Sequence, residues 1–172
     1  MTKHYGSVYT DLEKYQTEVL DKEKDEGMQL PGTEYQSFDD QDQVVQRVRL
    51  TDESFREQNF FTQALLPFFI EGAVIVDPSP FWNYFMVYQK STKNLMAIFT
   101  VYEAHLSFDR YRTKVSQVLV LPPYQRRGIA SRIYELIYTE YREKDSRCFQ
   151  LMVEDAAEEF QKVQDICHAR VL

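Results

Sequence analysis

The chain has 172 residues, 44% of them hydrophobic and 15% aromatic, with a net charge of −7 and a pI near 5.0. That length fills one hydrophobic core and is short for two. The acidic balance argues against a general nucleic-acid binder, whose surface must neutralise phosphates, and no stretch approaches the ~18 uncharged apolar residues of a membrane span. A basic peptide is the better partner, since an acidic surface attracts Lys/Arg-rich tails at long range. Met1 to Gly6 does not read as a signal peptide, so a soluble intracellular protein is expected. Cys148 and Cys167 have no metal-ligand spacing and are expected as free or buried thiols without a role.

In chain order, Thr10 and Glu13 are spaced as a capping box, and Val8, Leu12, Tyr15 and Val19 share one helical stripe, so a helix is predicted there. Gly27, Pro31, Gly32 and the cluster Asp39-Asp40-Gln41-Asp42 read as a loop with solvated charges. The alternation from Gln43 to Thr51 predicts a strand. Asp52 can cap a helix running through Phe60 and Leu66, which Pro67 should kink or split. Phe81 to Lys90 and Leu95 to Leu106 are aromatic and β-branched runs around the polar Ser91 to Asn94, a hairpin signal. Lys114 to Leu121 is a further strand, Ile129 to about Glu143 a helix, and Cys148 to Glu154 a last strand. Phe160, Val163 and Cys167 form the stripe of a final helix. Residues 1–50 are expected as an N-terminal extension and 51–172 as the core domain.

The sharpest chemical signal lies from Val120 to Ala130. An apolar strand, ended by Pro122-Pro123, passes through Gln125-Arg126-Arg127-Gly128 into a helix carrying Ile129, Ile133, Leu136, Ile137 and Tyr141. Free N–H groups at a helix start, at the positive end of its dipole, can hold a diphosphate, and the Arg pair adds charge-assisted donors. The extra glycines and the Lys-Ser/Thr of triphosphate and dinucleotide loops are absent, which disfavours those ligands. The short pattern alone is weak; strand, turn and helix in order strengthen it.

Gln125-Arg-Arg-Gly128-Ile-Ala130 after a strand resembles the acetyl-coenzyme A motif of the GNAT acetyltransferases. Glu71 within Phe68 to Asp77, Phe81-Trp82-x-Tyr84-Phe85-x-Val87, Arg112 to Gln125, and Glu154-Asp155 narrow the resemblance to the type B histone acetyltransferase catalytic subunit, from about Leu65 to Phe160. The resemblance implies a GNAT acyl-CoA N-acyltransferase fold of the α/β (α+β) class: a mixed, mostly antiparallel sheet whose two central parallel strands splay apart, flanked by helices. It implies acetyl-CoA as donor, held by main-chain groups of Val118, Leu119 and Val120 and, around the diphosphate, by Gln125, Arg126, Arg127, Gly128, Ile129, Ala130 and Ser131. It implies no metal.

Acetylating a lysine needs a base, because an ammonium with pKa ~10.4 is not a nucleophile. The resemblance assigns that role to Glu154, assisted by Asp155 and Glu71, and assigns histone-tail contacts to Trp82 and Tyr102. A carboxylate in the apolar run around Glu71 should be partly buried, and Asp155 is placed to cap the last helix. From the residues alone, solvated carboxylates at a strand end and a core tryptophan are the favoured readings. The expected substrate is a free histone tail, in the family that of the fourth core histone, with a WD-repeat histone chaperone as partner and cytoplasmic and nuclear residence. Acetylation of a small amine or another protein remains an alternative. So does a weakly catalytic binding module: Phe160 stands where relatives often carry a tyrosine, and the family's chains extend further at both ends.

Overall fold

Six strands pair in one sheet whose spatial order follows the chain. They are β1 (Thr33–Phe38), β2 (Gln43–Arg49), β3 (Trp82–Gln89), β4 (Leu95–Ser107), β5 (Arg110–Val120) and β6 (Cys148–Val153). Among the described residues three α-helices accompany them, α1 (Arg56–Phe69), α2 (Ile129–Tyr138) and α3 (Glu158–Val171). This computed structural model describes residues 29–77 and 79–171, and the helix predicted on Val8 to Val19 lies outside them. The chain divides into two units, Met1–Leu30 and Pro31–Leu172, and the second carries every element named here. No helix among the described residues is long and apolar enough to cross a membrane.

Pairing is antiparallel from β1 to β5 and parallel between β5 and β6. The predicted mixed α/β sheet and its single crossover are therefore present. Two expectations fail upstream. The segment predicted as a loop holds β1, because Tyr35 and Phe38 pack on the core and the strand follows the register of β2. Its acidic cluster is also more than solvated: Asp39 takes Lys90 and Ser37 as partners, and Asp42 accepts from Ser91 N–H at 2.9 Å and Gln89 at 3.0 Å, which ties β1 to the hairpin after β3.

Helix α1 also departs from its prediction. Asp52 accepts from Arg49 N–H at 2.8 Å instead of capping the helix, and a 3-10 turn at Glu53–Phe55 intervenes. The helix runs unbroken through Pro67 and ends at Phe69. Proline removes one N–H and crowds one carbonyl, and so near a C-terminus the helix simply stops.

The sheet is covered on both faces, which explains why β2 and β3 bury nearly every residue. One face carries Phe85, Val87, Ala97, Phe99, Val101 and Val115 against α2 and α3. Ile129, Ile133 and Ile137 of α2 are at most 1% exposed, each contributing about 1.5–3 kcal/mol of burial. On the opposite face Phe55, leading into α1, meets Tyr84 at 5.3 Å between ring centroids.

Candidate active site

Strand β5 is paired on both edges only in its first half. Its parallel register with β6 runs from Tyr111↔Cys148 to Val115↔Val153, and the Glu154 N–H to Val115 carbonyl bond at 2.9 Å is the last rung. A bulge opposite Thr100 and Val101 then shifts β5 by one residue. Beyond it, Gln117 N–H bonds Thr100 Oγ1 at 3.0 Å and Leu121 N–H bonds the Met96 carbonyl at 2.9 Å, both towards β4. By alternation, the N–H and C=O groups of Val118 and Val120 face the other edge, where β6 has already ended. This is the splay the resemblance implies, although the parallel pair lies at the edge of the described sheet and not at its centre. Leu119 turns its main chain to β4 and its side chain inward, at 5% exposure, so Val118 and Val120 supply the open edge.

The elbow continues directly from that edge. Pro122–Tyr124 form a 3-10 turn, and Gln125 Nε2 donates to the Val120 carbonyl at 2.9 Å, folding the turn back on the strand. Arg126 and Gly128 adopt left-handed φ values of 60° and 72°, and Gly128 opens α2 without any side-chain cap. The first-turn amides of Ile129, Ala130 and Ser131 therefore have no intrahelical acceptor. Gln125, Arg126, Arg127 and Gly128 are exposed, while Ile129 is buried and anchors the helix start. A Cβ at Gly128 would lie 3.1 Å from Arg132 Nη1. The residues present suit a diphosphate, with a cationic rim from Arg126 and Arg127.

Glu154 stands just past the last rung. Its carboxylate accepts from Lys114 Nζ at 3.0 Å and from Ser116 Oγ at 2.9 Å, both side chains of β5. Those two donors hold its pKa below the usual carboxylate value, Lys114 first. The carboxylate is 44% exposed and kept ionised by its partners. Lys114 and Ser116 lay within the motif quoted above, yet spacing alone gave neither a role.

Asp155 is exposed, with a left-handed φ of 43°. It does not cap the last helix. That helix starts at Glu158, and the Ala157 carbonyl takes the first bonds, from Phe160 and Gln161 at 2.9 Å each. Glu71 is exposed in the turn after α1, not partly buried as its apolar neighbours suggested. Phe68, Val74 and Ile75 are themselves 83%, 72% and 70% exposed. The segment after Glu71 is nevertheless tied down: Gln63 makes two bonds with the Val76 backbone, at 2.7 and 3.0 Å, and Gln117 Nε2 donates to the Val74 carbonyl at 3.0 Å. Gln63 and Gln117 were not legible as site supports from sequence.

Trp82 and Tyr102 are a directly opposed cross-strand pair with ring centroids 4.9 Å apart, and Tyr102 pairs in turn with Lys114. Opposed residues share a sheet face. The aromatic pair therefore lies in one row with the lysine that holds Glu154. Phe160 packs with Phe99 and Tyr134 at 6.4 and 5.6 Å and lies half-buried against the core. A cavity of about 390 Å³, lined by Tyr35, Phe38, Arg132 and Leu136 among others, lies beside β1 and shares no residue with this site.

A sheet that opens where its one parallel strand pair ends, with a basic elbow at the opening, has the GNAT fold. Solved structures agree: the acetyltransferase domain of xEco2 superposes with a TM-score of 0.58 at 14% identity, covering 81% of this chain and 94% of that one. A soil-metagenome aminoglycoside acetyltransferase bound to sisomicin gives 0.53 at 14% identity, covering 76% and 88%. Within that class the chain is a homologue of the histone acetyltransferase type B catalytic subunit. It is 35% identical to the Candida glabrata protein over 130 residues, 69% of this chain and 33% of the relative. It is 31% identical to the Kluyveromyces lactis protein, over 74% of this chain and 36% of the relative, and 30% identical to the Homo sapiens protein, over 70% and 30%. The chain thus spans about a third of the length of these relatives. No family model matches it.

Proposed function

We propose that this chain transfers the acetyl group of acetyl-CoA to the lysine ε-amine of a free histone tail, by direct attack in a ternary complex. The observation that carries the reading is the placement of the Glu154 carboxylate at the point where β5 loses its neighbour, with the open half of β5 leading on to the Gly128 elbow. The amides of Ile129 to Ser131, with Gln125, Arg126 and Arg127, bind the diphosphate. The open edge of Val118 and Val120 holds the pantetheine arm as an added strand would be held. An edge N–H then donates to the carbonyl oxygen as charge develops on it.

Glu154 accepts the proton of the incoming ammonium, directly or through a water, and Ser116 keeps its second oxygen oriented. Trp82 and Tyr102 flank the aliphatic part of the substrate lysine, and Asp155 and Glu71 add negative charge that favours a basic tail. With Phe160 packed against the core, solvent protonates the departing thiolate. The exposure of Lys114 and Glu154, 33% and 44%, supports an open channel for a peptide over a closed metabolite pocket. A WD-repeat histone chaperone is the partner this reading favours, with residence in cytoplasm and nucleus.

The test is incubation with radiolabelled acetyl-CoA and a panel of histone-tail peptides. Label on a lysine of one tail is expected. Coenzyme binding with no transfer to any tail would overturn the reading.

A further inference from the structure

Lys114 rises from β5 immediately before Val115, the last residue paired with β6. Its Nζ lies 3.0 Å from Glu154 Oε1. The same strand register sets it beside Tyr102 and, through Tyr102, Trp82. A primary amine on the carboxylate, beside Tyr102 and at the start of the open edge, has the base and the aromatic neighbour asked of an incoming substrate lysine. It is also accessible, with a third of its side chain exposed.

We propose that Lys114 is a self-acetylation site whose donor is acetyl-CoA; this rests on the reading of the site as an acetyltransferase. Glu154 takes one proton from the Lys114 ammonium, and the freed lone pair attacks the thioester carbonyl. A C–N bond forms as the C–S bond breaks, the second proton of the nitrogen passes to solvent, and the coenzyme leaves as a thiolate that solvent protonates. Glu154 returns its proton to water. Nothing is oxidised or reduced. The product is a neutral amide, which no longer forms an ion pair with Glu154 and leaves Ser116 as its remaining partner. Self-acetylation thereby releases the carboxylate for substrate.

The experiment is incubation of the full chain with acetyl-CoA, with and without a histone-tail peptide, followed by proteolysis and mass spectrometry. Lys144, with a side chain 65% exposed, serves as the reference for uncatalysed acetylation. Lys114 is expected to gain an acetyl group at least about tenfold faster than Lys144, at a rate independent of protein concentration, and to lose that advantage in Glu154→Gln. Labelling of Lys114 no faster than Lys144 overturns the proposal, and the wild-type ratio decides this even if the variant folds poorly. Acetylated peptide with unmodified Lys114 removes self-acetylation and keeps the histone reading. Modified Lys114 with no acetylated peptide does the reverse. Acetylation of neither removes both.

Discussion

Two carboxylates, Glu103 within β4 and Glu154 just past β6, show how one chemical group serves two purposes. Glu103 on β4 accepts from Asn83 of β3 at 2.9 Å and from Tyr141, in the π-helical turn Thr139–Lys144, at 3.0 Å. Arg47 of β2 lies 3.6 Å away and His105 3.7 Å away. Arg47 continues the network to Glu140 at 3.1 Å, and Glu140 receives Tyr35 of β1. Glu103 is 16% exposed and fastens several elements together. Glu154 has two donors, both on one strand, and is 44% exposed. A carboxylate held from many sides cannot exchange partners without unfolding something, whereas one held by a single strand can.

The largest expected effect is on chemistry. Glu154→Gln should lower acetyl transfer to a tail peptide by roughly 10²–10⁴-fold with little change in the urea midpoint, as befits a general base. Glu103→Gln should do the opposite, costing about 2 kcal/mol of stability while the folded protein keeps its rate, because it leaves Arg47 short of a partner in a mostly buried network. Equal losses of activity in the two variants would collapse the distinction. Gly128→Ala comes next. The left-handed φ and the 3.1 Å approach to Arg132 should cost about 1–2 kcal/mol and weaken acetyl-CoA binding roughly tenfold by calorimetry.

A third carboxylate gives the smallest effect. Asp145 is held well below the usual range by Arg147, then by Tyr111. A depressed folded pKa contributes stability above the unfolded value of about 3.9 and loses it as pH falls through the folded value. Asp145→Asn should therefore cost less than about 1 kcal/mol near pH 7, for a pair this open to solvent, with the gap narrowing at pH 3. Urea midpoints at the two pH values measure it.

Much of this was legible in the sequence where side-chain pattern and backbone agree. The aromatic and β-branched runs of β3 and β4, the polar Ser91 to Asn94 turn and the isoleucine spacing of α2 all read correctly, because β propensity marks the strands and one buried face fixes the helical period. The elbow was legible because Gly128 and the preceding prolines mark backbone conformation directly. β1 was not, since Thr33 to Phe38 is polar and becomes a strand only through its pairing with β2. Glu71 was misjudged because an apolar run reports burial only when something covers it, and here Val74 and Ile75 stay exposed. The Lys114 and Ser116 grip on Glu154 joins residues about forty apart in the chain, and no local pattern reports it.

The central claim is that the coenzyme lies along the open edge of β5 and on the first turn of α2. Amide hydrogen exchange of the full chain with and without acetyl-CoA tests it most directly. Slowed exchange is predicted at Val118, Val120 and Ile129 to Ser131, with Leu119 unchanged because its N–H already faces β4. Unchanged exchange at those amides, with binding shown by protection elsewhere, would contradict it.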